Sequence, residues 1–114
     1  MFDHDPCAED FAPPTIQSIV ATANVLSPPD HRLVPVRLQA SADDNCGPVT
    51  CKIKSVKSNE PNRRLADWII TGDLTLKLRA ERSAQGSGRI YTVTVEARDV
   101  AGNTSTSDVT VAVP

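Results

Sequence analysis

The last quarter of the chain, Arg89-Ile-Tyr-Thr-Val-Thr-Val-Glu-Ala-Arg-Asp-Val-Ala-Gly-Asn-Thr-Ser-Thr-Ser-Asp-Val-Thr-Val-Ala-Val-Pro114, constrains the fold more than any other stretch. Tyr91, Val93, Val95 and Ala97 share one face of a period-two run, and Val109, Val111 and Val113 share one face of a second. Between them, Asp99-Val-Ala-Gly-Asn103 carries the turn chemistry that joins antiparallel strands. The pattern is a β-hairpin. It defines an architecture and names no reaction.

With 114 residues the chain is one domain, large enough for one core and too small for two. The aromatic residues are Phe2, Phe11, Trp68 and Tyr91, so the core has to come mostly from Val, Ile, Leu and Ala. Residues 1–14 read as a linker ending in Ala12-Pro-Pro14, and residues 15–114 as the folded domain.

Upstream of the hairpin the β pattern repeats. Thr15 to Ala23 is a weakly sided strand suited to a sheet edge, and Ser27-Pro-Pro-Asp-His31 is a turn. Leu33 to Ala42 places Val34, Val36, Leu38, Ala40 and Ala42 inward, with Pro35 marking an edge or bulge near its start. Val49 to Lys57 alternates until Ser55-Val56, where the period slips. Ser58 to Ala66 is a polar connection, Asp67 to Thr71 a short strand, and Leu74 to Glu81 an alternator with Leu74, Leu76, Leu78 and Ala80 inward. Seven short strands without a helical period predict an all-β antiparallel sandwich.

Composition narrows the function classes. A net charge of -2 and a pI near 5.6 supply no basic field for phosphates, so nucleic acid is not an expected partner. No apolar run is long enough to span a bilayer, and Met1-Phe-Asp-His-Asp-Pro6 lacks the basic start and apolar stretch of a signal peptide. The chain reads as a piece of a longer exported protein whose export signal lies upstream.

The cysteines suit that compartment. Cys46-Gly-Pro-Val-Thr-Cys51 has a spacing that a disulfide can bridge, and the six-residue ring is worth roughly 2 kcal/mol by loop entropy. Two reduced thiols are the plain alternative, and zinc lacks ligands because the only histidines are His4 and His31. Cys7 is left over and allows other pairings.

The run Leu26-Ser-Pro-Pro-Asp-His-Arg-Leu-Val-Pro-Val36, with Ala42-Asp-Asp-Asn-Cys-Gly-Pro48, Ser58-Asn-Glu-Pro61, Trp68-Ile-Ile-Thr-Gly-Asp73, Leu78-Arg-Ala-Glu-Arg-Ser83 and Asp99-Val-Ala-Gly-Asn-Thr104, resembles a bacterial immunoglobulin-like repeat of secreted and cell-surface proteins. The resemblance spans about residues 15 to 114 and implies an extracellular accessory or spacer module rather than a catalytic domain. In such sandwiches a Tyr near the start of the sixth strand often anchors the preceding corner through its hydroxyl, a role that falls to Tyr91.

In an immunoglobulin-like topology the loops after strands two, four and six gather at one pole. Those loops hold Asp43, Asp44 and Asn45, then Asp73, then Asp99 with Asn103, a candidate calcium site because hard cations take six to eight oxygens. The competing reading is that Asp and Asn serve the turns themselves. Enzymatic readings are weaker. Ser27, Asp30 and His31 are adjacent in a proline-rich turn, which is not a spatial relay. Glu81 and Glu96 read as outward residues among Arg79, Arg82 and Arg98, paired across strands rather than forming a glycosidase dyad. Two non-catalytic functions follow: a spacer among neighbouring domains of one polypeptide, or a module binding a carbohydrate or protein through its loops or a sheet face. Trp68 separates them, since a binder presents it and a spacer packs it away.

Overall fold

The computed structural model describes residues 12–44, 47–60, 67–83 and 88–114. The described residues form seven strands and no helix: β1 (Thr15–Thr22), β2 (Leu33–Asp43), β3 (Thr50–Ser58), β4 (Trp68–Ile70), β5 (Thr75–Arg79), β6 (Arg89–Arg98) and β7 (Thr104–Val113). They make two antiparallel sheets, ordered β1-β2-β5-β4 and β3-β6-β7. This is the strand arrangement of a constant-type immunoglobulin sandwich. The expected all-β sandwich is therefore the observed fold, and most of residues 1–14 lie outside the described part.

Alternation decides which side chains meet between the sheets. Val36 and Leu38 of β2 and Leu76 and Leu78 of β5 face Val56, Tyr91, Val93, Val95, Val111 and Val113, all buried. These β-branched and leucine side chains are stiff enough to pack densely on a pleated surface. Their removal from water at about 25 cal/mol per Å² is the main stabilising term.

Two irregular stretches of sequence are β-bulges. Ile16 pairs with Ala42 but Ser18 with Ser41, so Gln17 is an extra residue, and inward positions resume at Ile19 and Ala21. The weak sidedness of β1 comes from this insertion. Likewise Ile53 pairs with Val95 and Ser55 with Thr94, leaving Lys54 extra and returning Val56 to the core. At that bulge the Ile53 amide donates across to the Asp73 carbonyl at 2.7 Å, tying β3 to the β4–β5 turn of the other sheet.

β1 is an edge strand, as expected. After it the chain crosses to the second sheet, where Val25 bridges Ala112 in parallel and the Leu26 amide donates to the Ala112 carbonyl at 2.8 Å. Pro35 sits opposite Lys77 of β5, and the β1 ladder stops at Arg37, so the flank of β2 beside the proline is open. A residue without an N–H is tolerated there. Exposed Lys52, Lys54 and Lys57 line the edge strand β3, a common way to discourage edge-to-edge pairing.

Candidate functional site

The register places the loops. Thr15 pairs with Asp43 and Thr50 with Arg98, so the start of β1, the β2–β3 loop and the β6–β7 turn share one pole. The β4–β5 turn does not reach it. The Leu74 carbonyl accepts from the Leu38 amide, which sets that turn five residues back from Asp43, about 16 Å along the strand. Asp73 is thus separated from the other candidate calcium ligands because β4 and β5 are much shorter than β2.

Asp99 and Asn103 are brought together, as parts of one turn. Asp99 Oδ1 accepts from the Ala101 amide at 3.0 Å and the Asn103 amide at 2.8 Å, while Oδ2 accepts from Asn103 Nδ2 at 3.0 Å. The carboxylate is buried, and Gly102 adopts φ 93°, the left-handed conformation the turn requires. Asp43 accepts from Gln17 Nε2 at the bulge and lies beside Asp44 around a shallow hollow with Ala12, Pro13 and Thr15. Asn45 lies outside the described residues. Among the described residues no three His, Cys, Asp or Glu side chains converge as a metal-ligand group. Of the described donors, Asp99 is engaged by its own turn and Asp73 is set back along β2 from Asp43 and Asp44.

Cys46 lies outside the described residues, and with it the expected Cys46–Cys51 bridge and the pairing of Cys7. Cys51 is half-buried on β3 opposite Ala97, and burial pushes its thiol up. That shift lowers its thiolate fraction at neutral pH.

At the opposite pole lies a buried polar cluster that the pattern reading passed over. Arg89, the first residue of β6, is fully buried, and its Nη2 lies 2.8 Å from Oδ2 of equally buried Asp67. Its Nε donates to Ser58 Oγ at 2.7 Å, its Nη1 reaches the Glu81 carbonyl at 3.4 Å, and its guanidinium carbon stands 4.5 Å from the centre of the Tyr91 ring. Arg79 Nε is 3.8 Å from Asp67 Oδ1. The Tyr91 hydroxyl donates to the Arg79 carbonyl at 2.7 Å, so Tyr91 anchors the β5–β6 corner. Trp68 packs edge-on against Tyr91 at 6.3 Å and is half-buried. Burial, with the carboxylates of Asp67 and Glu81 adding to it, pushes the Tyr91 hydroxyl up to about 12. A signal for Arg89 was present, because it shares the parity of Tyr91, Val93 and Val95. Asp67 had none, since it precedes β4 instead of opening it.

The remaining polar candidates fall apart in space. Glu81 is mostly buried and lies 3.3 Å from exposed His31. Glu96 is near the opposite pole, 3.4 Å from Arg98 and 3.9 Å from Lys54. The expectation that both glutamates face outward is corrected for Glu81, which follows the end of β5 and turns toward the 27–31 loop. His31 and Asp30 belong to that loop, where Asp30 pairs with Arg32 at 2.6 Å.

Strand order, the corner tyrosine and the buried cluster define an immunoglobulin-like β-sandwich whose inward polar groups brace the fold. Comparison with known protein families, curated proteins and solved structures returned no match.

Proposed function

We propose that the chain is a non-catalytic module of an exported bacterial protein, an immunoglobulin-like repeat that sets the spacing between neighbouring domains outside the cell. The observation that carries this reading is the path of the chain. β1 starts at the pole of the β6–β7 turn, and β7 finishes at the other, where Ala112 bridges Val25. The ten residues of β7 cover about 33 Å, so segments joined before β1 and after β7 are held apart by the length of the sandwich.

The side chains support it. Trp68 packs on Tyr91 instead of forming a solvent-facing platform, and Asp67, Arg89 and Asp99 are committed to internal contacts. The resemblance to bacterial surface repeats points the same way. The test is small-angle scattering from one, two and three copies joined in series. A spacer adds a near-constant increment of at least about 33 Å to the maximum dimension per copy. A maximum dimension that does not grow with copy number overturns the reading.

A further inference from the structure

The outer face of the β1-β2-β5-β4 sheet carries a shallow hollow lined by Thr22, Pro35, Arg37, Thr71, Thr75 and Lys77. Arg37 pairs with Thr75 and Pro35 with Lys77, so the two cations are diagonal neighbours on one face. Both are exposed, and neither has an ion-pair partner among the described residues. No carboxylate lines the hollow. The contrast with the other sheet is direct, because there Lys54 and Arg98 flank Glu96 at 3.9 and 3.4 Å. In a chain of net charge -2, a concavity lined by cations alone is a local arrangement and not a consequence of composition.

The rest of the hollow is built for hydroxyl chemistry. Thr71 Oγ1 donates to Thr75 Oγ1 at 2.9 Å, which leaves the Thr75 proton able to donate to an occupant. A Cβ at Gly72 would stand 2.6 Å from Thr75 Oγ1, so the glycine keeps this hydroxyl pair in place. Pro35 and Ile69, the latter 43% exposed, lie on either side of Lys77 on the same face, and Pro35 is the exposed apolar residue that lines the hollow itself.

We propose that this hollow binds an acidic polysaccharide. A sulfate or carboxylate group sits between Arg37 and Lys77, the Thr22, Thr71 and Thr75 hydroxyls meet sugar hydroxyls, and the C–H face of a ring rests on Pro35. Arginine supplies a planar fork suited to either anion, and lysine a second point charge. The three hydroxyls and the Pro35 ring beside the cation pair match the hydroxyls and C–H faces that each residue of a sugar chain presents, whereas an acidic side chain of a peptide brings its carboxylate alone. The inference goes beyond the spacing role and is independent of it.

The test uses the full chain against immobilised heparin, polygalacturonate, neutral dextran and polyglutamate. Retention on heparin or polygalacturonate, weakening with salt, with none on dextran, is the expected result, and the sulfated and carboxylated arms tell which anion is taken. The double variant R37Q/K77Q, both positions being exposed, keeps the melting midpoint and binds about tenfold more weakly. The K52Q/K57Q control on the opposite sheet binds as the parent does. The proposal is overturned by absence of binding to both acidic polysaccharides at low salt. Equal binding of polyglutamate, or a loss that follows Lys52 and Lys57 instead, also overturns it.

Discussion

Replacing Arg89 with methionine removes a charge from a fully buried position while keeping much of the side chain's apolar stem. Three bonds disappear: to Asp67 Oδ2 at 2.8 Å, to Ser58 Oγ at 2.7 Å and to the Glu81 carbonyl at 3.4 Å. The Asp67 carboxylate stays buried, with Arg79 Nε at 3.8 Å as a second cation. Breaking one side of a buried pair typically costs 3–5 kcal/mol, and the nearby Arg79 places the expected loss toward the lower end, about 3 kcal/mol. A domain of this size has roughly 5–15 kcal/mol in total, so the midpoint should fall by about 12–20 °C. Urea unfolding followed by fluorescence of Trp68, the chain's one tryptophan, reads this directly because that ring packs on Tyr91 beside the site. Asp67→Leu alone should cost a similar amount by stranding the guanidinium. The double variant R89M/D67L should recover to within about 1 kcal/mol of the parent, since an apolar replacement of both partners removes the desolvation penalty with the attraction. A loss below about 1 kcal/mol for Arg89→Met, or a double variant as unstable as the sum of the singles, would refute the buried pair as the brace of this pole.

The acidic turn and the corner tyrosine supply further tests. Asp99→Ala removes an acceptor for two backbone amides and one side-chain amide, and should cost about 1–2 kcal/mol, equally in calcium and in chelator. A loss confined to calcium would make Asp99 a metal ligand and reverse the reading of the turn. Tyr91 is the chain's one tyrosine, so tyrosinate absorbance reports it alone. Its hydroxyl ionises near 10 when unfolded and is pushed up to about 12 in the fold, so the unfolded state loses the proton first. Its contribution is therefore fully present below pH 10 and is lost as pH rises toward 12, and Tyr91→Phe should flatten that decline in urea midpoints. Gly102→Ala forces a Cβ into φ 93° where no neighbouring atom obstructs it, and should cost about 1 kcal/mol from backbone strain alone.

Much of the fold was legible because alternation is a local property. The parity of Val34 to Ala42, of Leu74 to Ala80 and of Tyr91 to Ala97 assigns the inner faces without knowledge of any partner strand. The defect at Ser55-Val56 was visible as a slip and that in the first strand only as weak sidedness, and reading either as a bulge required the neighbouring strand's register. Asp99-Val-Ala-Gly-Asn103 was recognisable as a turn from its residues, and the hydrogen bonds of Asp99 are those such a turn makes.

What the sequence could not supply were relations between strands of unequal length and between residues far apart along the chain. Asp73 looked like a companion of Asp43 and Asp44, and the shortness of β4 and β5 sets it back along β2. Asp67 and Arg89 lie 22 residues apart, and only the closing of the β5–β6 corner brings them to 2.8 Å. The hollow of Arg37 and Lys77 likewise exists only through the pairing of β2 with β5. Local pattern determined which face each strand buries, because side-chain direction follows from backbone period. Tertiary structure decided which charges meet, because that depends on register and strand length, which no single strand encodes.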